Sequence, residues 1–453
     1  MSVRARSLLS LLLLAATCWL ATASLARTSE DETDELEWTV ISVAHWRQLR
    51  GATPPGVELD EAAGRLHEDR WRQGVQATTF GWPNPGFLKC VWGLLCDPVA
   101  PEVVDPRAFY RYSGGDPRIV AEAAAPWESA IERARALVAA ASAACALWLF
   151  LIARRAAGGV AGFVAALLWL LHPMTREWSH YARPDFVMLW LALVAMHLAL
   201  LLSDRSPSDE GVRLRWPLVA ALGLAVGLAA ATKLNGALAG VGVALALPLA
   251  AVGAGRAFGW RTLGIAGGLA GLLSLLVFWS CFPYLWTSPG EHLGEVLAFW
   301  EKHMAFQQER WLAAGGRVAR DWGEGLELLR ARSLGSEEPL TAVLGLPLPG
   351  LWAVAGFLGA ALVAWRGEPG RRLAARQLLL LALVLLIGTG AWLPLEWDRY
   401  FFAPLAAIVL LEACALGGLA RLGIARWQGR AQRQGRARAE TQCGPSGSTP
   451  PPA

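Results

Sequence analysis

Charge is scarce in this chain. Asp, Glu, Lys and Arg make up 17% of its 453 residues, where soluble domains carry about 25%. With a hydrophobic share of 55% and a mean hydropathy of +0.37, that deficit excludes an ordinary soluble enzyme. Nucleotide signatures are missing too. No G-x-x-x-x-G-K-[ST] and no strand-flanked G-x-G-x-x-G occurs, which argues against ATP-driven transport and against use of a nucleotide-sugar. The seven cysteines form no metal-ligand pattern. Cys90 and Cys96, six residues apart, are open either to a disulfide in an oxidising compartment or to a reading as two buried thiols. The net charge of +4 needs no nucleic acid as partner, because arginines at the ends of apolar spans account for it.

What is present is a series of long apolar runs. The sequence predicts an all-α polytopic membrane protein with about ten transmembrane helices, at 7–25, 134–152, 158–172, 186–202, 217–232, 236–252, 263–281, 344–364, 377–393 and 401–420. The first run is read as a retained span, although Arg4, Arg6 and the small-residue run ATASLA also fit a secretory signal. With both termini cytoplasmic, 19 arginines fall inside, and the short outer loops hold only Arg176, Arg183, Lys233 and Arg399. Residues 27–133 and 282–343 then form two long outer loops with interfacial helices, and 421–453 a basic, partly disordered cytoplasmic tail. The glycine pairs Gly223/Gly227, Gly236/Gly240 and Gly267/Gly271 read as close helix packing.

Polar residues collect at the outer ends of these spans. SEDETDELEW follows the first span; Asp31, Glu32, Asp34 and Glu35 start a helix there, and Leu36, Val40 and Val43 along one side let it lie flat on the membrane surface. HPMTREWSHYARPDFVMLW sets His180, Arg183 and Asp185 at the mouth of the fourth span. Lys233, in TKLNG, is one of three lysines beside 38 arginines, and LPLEWDRYFFAP adds Glu396, Asp398, Arg399 and Tyr400. Separate hairpins thus deliver carboxylates and cations to one membrane face, as a site for an anionic substrate requires. A transporter or lipid flippase is the alternative; such proteins place ionisable groups near mid-depth, where Glu412 is the main example here.

These segments resemble the C-type polytopic glycosyltransferases that use polyprenyl-phosphate sugars, particularly the branch of protein O-mannosyltransferases and the lipid A aminoarabinose transferase. The resemblance covers residues 8–416 and rests on the acidic pair Asp34–Glu35, on WPNPGFLKCVWGLL, on HPMTREWSHYARPDFVMLW, on GLAAATKLNG, on CFPYLWTSPGEHL and on WDRYFFAPL, of which ARPD and TKLNG are the most specific.

The resemblance implies inverting transfer of a sugar to an acceptor hydroxyl on a protein, lipid or glycan; the membrane is expected to be a bacterial inner membrane, and a eukaryotic homologue would use dolichyl phosphate in the endoplasmic reticulum. The catalytic acids would be Asp34, with Glu35 or the Asp31/Glu32 pair as substitutes, and Asp185. The donor phosphate would meet Lys233, Arg399, Arg183 and His180, with Tyr400 and His303 as further substrate contacts. Clustered carboxylates suit Mg²⁺ or Mn²⁺ as oxygen ligands, but the resemblance implies no required metal.

Overall fold

The computed structural model describes residues 33–50, 86–102, 125–202, 215–253, 260–282, 285–286, 288–335, 337–367, 369–392 and 400–442. Every regular element among them is a helix: α1 Thr33–Leu49, α2 Phe87–Cys96, α3 Glu128–Ala157, α4 Gly159–Leu171, α5 Pro173–Trp178, α6 Asp185–Leu202, α7 Trp216–Thr232, α8 Ala237–Gly253, α9 Trp260–Ser280, α10 Pro289–Ala313, α11 Trp322–Ser333, α12 Pro339–Leu344, α13 Leu351–Arg366, α14 Pro369–Trp392 and α15 Phe402–Gln442.

Four segments are long and apolar enough to cross a membrane: 125–157, 185–202, 370–391 and 402–421. Five more apolar helices, α4, α7, α8, α9 and α13, are shorter, at 10–17 residues over their apolar parts. The chain is an integral membrane protein. Each expected span from the second to the tenth falls on one of these helices, and the first, 7–25, lies outside the described residues.

Local chemistry sets the boundaries. Gly158, at φ +92°, breaks the chain between α3 and α4, a backbone region open to glycine. Pro173 at the first position of α5 fits the fixed φ of proline. Asp185 opens α6 with a carboxylate on the positive end of the helix dipole. Because lipid tails are as apolar as leucine, these helices associate through close packing. A Cβ on Gly223 would stand 2.7 Å from the Ala270 carbonyl, and one on Gly227 2.7 Å from that of Ser274, so glycine brings α7 against α9. Gly267 and Gly271 differ: nothing stands within 4 Å of a Cβ there, and instead of packing they line an open groove.

One further expectation is corrected, and one open reading is settled. The apolar side of α1 does not lie on lipid: Leu36, Val40 and Val43 are buried in the main core with Leu88 and Trp92 of α2 and with α3. Cys90 and Cys96 sit on one helix, where six residues rise about 9 Å, too far for a disulfide, and both are free thiols; Cys96 donates instead to the Ala130 carbonyl at 3.2 Å. α15 continues unbroken to Gln442, and 443–453 lies outside the described residues.

Glu412, the mid-depth carboxylate, is fully buried on α15 and accepts the Leu340 N–H of α12 at 3.0 Å. The N-terminus of α12 is buried with it, its N-cap Glu338 also fully buried and accepting the Thr341 hydroxyl at 2.6 Å. Glu412 therefore satisfies a helix end that has no water to bond. That function accounts for its depth without a transport path.

Candidate active site

The site is built where three helix ends meet. The loop from α5 to α6 carries His180, Arg183 and Asp185, with the Arg183 guanidinium 4.7 Å from the centre of the Trp178 ring. Asp185 is 2% exposed, and its Oδ1 accepts from Lys233 Nζ at 2.6 Å. Its Oδ2 is buried with no hydrogen-bond partner among the described residues. Lys233 terminates α7 in an extended conformation, φ −157°, and its ammonium stands 5.3 Å from the centre of the Tyr400 ring. The Tyr400 hydroxyl reaches Met304 of α10 at 3.9 Å. Two of the expected residues, Asp185 and Lys233, thus form a direct ion pair, and Tyr400 completes their wall.

Glu35 belongs to the same corner but is differently employed. It is fully buried; its Oε2 accepts from Arg135 Nη2 at 2.6 Å and its Oε1 from Arg135 Nε at 2.9 Å. Oε1 also accepts the Ala182 N–H at 2.6 Å. One carboxylate thus ties α1 to α3 and to the loop before Asp185. Arg135, which sequence reading did not select, lies 100 residues from its partner, and no local pattern announces it. Burial, then Arg176 and Arg135, hold the His180 imidazole below its usual pKa, favouring the neutral ring.

Asp34 precedes Glu35 in the first turn of α1, and His303 precedes Met304 on α10; their side chains lie outside the described part of the structure, as do Asp31, Glu32, Glu396, Asp398 and Arg399.

Lys89 was also missed. It is 1% exposed on α2, a helix that touches both α1 and α7. Burial pushes its ammonium down to about 7, with Cys90 opposing the shift. Burial, then Lys89, push His45 of α1 down to about 4. Its signal was its rarity, a lysine inside the apolar run FLKCVWGLLC. Between pH about 7 and the ordinary lysine value the unfolded chain binds one proton more than the folded one, so this group makes stability rise with pH across that window and stay flat below it. The Lys89→Met variant should therefore exceed the wild type in melting midpoint most below pH about 7, with the gap narrowing toward pH about 10. Thermal melts across that range check this; a gap independent of pH would contradict it.

Beside Lys233 a groove of about 670 Å³ runs between α7, α8 and α9, from Leu234 and Phe278 at one end to Pro248 and Gly264 at the other. Its lining is apolar, and Gly267 and Gly271 border its open space. Among the described residues no three His, Cys, Asp or Glu side chains gather in a way that could hold a metal ion.

No family model and no curated protein matches the chain. Solved structures of one protein do. The archaeal oligosaccharyltransferase AglB from Archaeoglobus fulgidus, in complex with an inhibitory peptide and a dolichol-phosphate, superposes with a TM-score of 0.50 at 14% identity, over 92% of this chain and 52% of that one. The Archaeoglobus fulgidus oligosaccharyltransferase in its apo form gives 0.47 at 16% identity, over 88% and 52%. Its complex with Zn and sulfate gives 0.44 at 17%, over 74% and 40%. The chain spans about half the length of the solved protein. The likeness is one of fold.

Proposed function

We propose that the chain is a membrane glycosyltransferase that moves a sugar from a polyprenyl-phosphate donor to an acceptor hydroxyl on the outer face, inverting the anomeric carbon. The observation that carries this reading is the ion pair of buried Asp185 with Lys233, whose chain neighbour Leu234 lines the end of an apolar groove. A cation at the head of an apolar slot suits a ligand with an anionic headgroup and a hydrocarbon tail. The shared fold adds support, since the solved oligosaccharyltransferase was captured with a dolichol-phosphate and a peptide.

In the proposed step the acceptor oxygen attacks the anomeric carbon as its proton passes to Asp34, and the bond from that carbon to the phosphate oxygen breaks. The departing lipid phosphate needs its charge neutralised. Lys233 has three N–H donors and can keep Asp185 while binding the phosphate; Arg399, Arg183 and His180 assist. Asp185, with Oδ2 still available, orients the acceptor or supports positive charge at the anomeric centre. Glu35 holds the Ala182 backbone and so positions Asp185, three residues downstream at the start of α6. No divalent cation is written into this step, because lysine and arginine supply the neutralisation. The acceptor is a hydroxyl on a protein, lipid or glycan, and the membrane a bacterial inner membrane with both termini inside.

Lys233→Met tests the headgroup assignment. A charge-assisted hydrogen bond is worth about 1.5–3 kcal/mol, so the variant should bind polyprenyl phosphate about ten- to a hundred-fold more weakly. Equilibrium binding of a fluorescent polyprenyl phosphate to the detergent-solubilised chain measures it. Unchanged affinity would remove Lys233 from the donor site.

A further inference from the structure

We propose that Cys90 and Cys281 are the site of an oxidative cross-link, a disulfide that fastens the segment after α9 to α2. The backbone brings them together. The Gly86 N–H donates to the Cys281 carbonyl, and a Cβ on Gly86 would stand 2.7 Å from that oxygen, so the two chains meet at a distance that glycine permits. Cys90 lies one helical turn beyond Gly86, its N–H bonded to the Gly86 carbonyl at 2.9 Å. The Cys281 thiol lies within electrostatic reach of Cys90. Both are partly accessible, whereas Cys96, Cys145 and Cys414 are buried.

Their positions in the chain agree. Cys90 belongs to the first long outer segment and Cys281 ends the span that runs into the second, so the orientation read from the arginines puts both at the oxidising side. The chemistry is exchange with a disulfide-bearing thiol oxidase of that compartment. One cysteine thiolate attacks the carrier disulfide and forms a mixed disulfide; the second displaces the carrier, which leaves as a dithiol. The two cysteines lose two electrons and two protons, and the carrier gains them.

The link acts beside the donor groove. Phe282 and Leu285, just after Cys281, pack with Leu234, the neighbour of Lys233, and with Phe278 at the groove's end. Joining this segment to α2 fixes the groove mouth against the helix that carries Lys89.

The experiment uses the full wild-type chain in detergent micelles at pH about 8, exposed to oxidised glutathione as the carrier. Remaining thiols are alkylated with N-ethylmaleimide, and peptides from a non-reducing digest are analysed by mass spectrometry. The expected product is a Cys90–Cys281 linked peptide that dithiothreitol abolishes and that persists in Cys96→Ser. Recovery of Cys90 and Cys281 both as maleimide adducts, or Cys90 linked only to Cys96 or to glutathione, would overturn the proposal. Because wild type carries the test, a variant that fails to fold does not decide it.

Discussion

Asparagine in place of Asp34 is expected to lower sugar transfer by about 10²–10⁴-fold, the usual contribution of a general base, while the melting midpoint stays near that of the wild type. The expectation rests on how α1 divides its two acids. Glu35 has both oxygens committed to Arg135 and the Ala182 N–H in a fully buried corner. Those contacts join α1 to α3 and to the loop before Asp185, a structural role for this carboxylate. Asp34 occupies the adjacent helical position, about 100° around the axis, and is the base of the proposed step. Initial rates of lipid-phosphate release, set beside thermal melts of the same preparations, separate the two roles. An Asp34→Asn enzyme with near wild-type turnover would move the base to Asp31 or Glu32.

Glu35 should behave in the opposite way. Glu35→Ala removes the carboxylate to which the buried Arg135 guanidinium donates, and breaking a buried pair by removing one member costs about 3–5 kcal/mol. The expected result is loss of folded protein, or a melting midpoint lowered by many degrees, with activity falling in proportion to the folded fraction. Changing Arg135 to Met as well removes the stranded charge, so the double variant should be more stable than Glu35→Ala. It should still fall short of wild type, because the Ala182 N–H has lost its acceptor, a deficit of about 1–3 kcal/mol. Denaturant or thermal midpoints of the four proteins form a double-mutant cycle. If the two single changes add without coupling, the ion pair does not hold the corner together.

How far the sequence could be read depends on the range of the interaction. Apolar runs are local, so the second to tenth spans coincide with helices, and the acids of ARPD and the lysine of TKLNG stand out because charge at the end of such a run is rare. Whether Leu36, Val40 and Val43 face lipid or protein is not a local property, since hydrocarbon and a protein core select the same residues. The Glu35–Arg135 pair joins positions 100 apart, and neither residue differs locally from its charged neighbours. Glycine is ambiguous in a similar way. Gly223 and Gly227 bring two helices into contact, whereas Gly267 and Gly271, with the same spacing, border an open groove. Lys89 was hidden by its surroundings, since an apolar ten-residue helix reads as core until its buried ammonium is seen.

The measurement that bears most directly on the account is release of free polyprenyl phosphate by the purified chain in lipid, supplied with a panel of polyprenyl-phosphate sugars and hydroxyl acceptors. At least one donor should give release that depends on acceptor and that collapses in Asp185→Asn. A folded preparation that binds these lipids yet liberates no phosphate from any of them would contradict it.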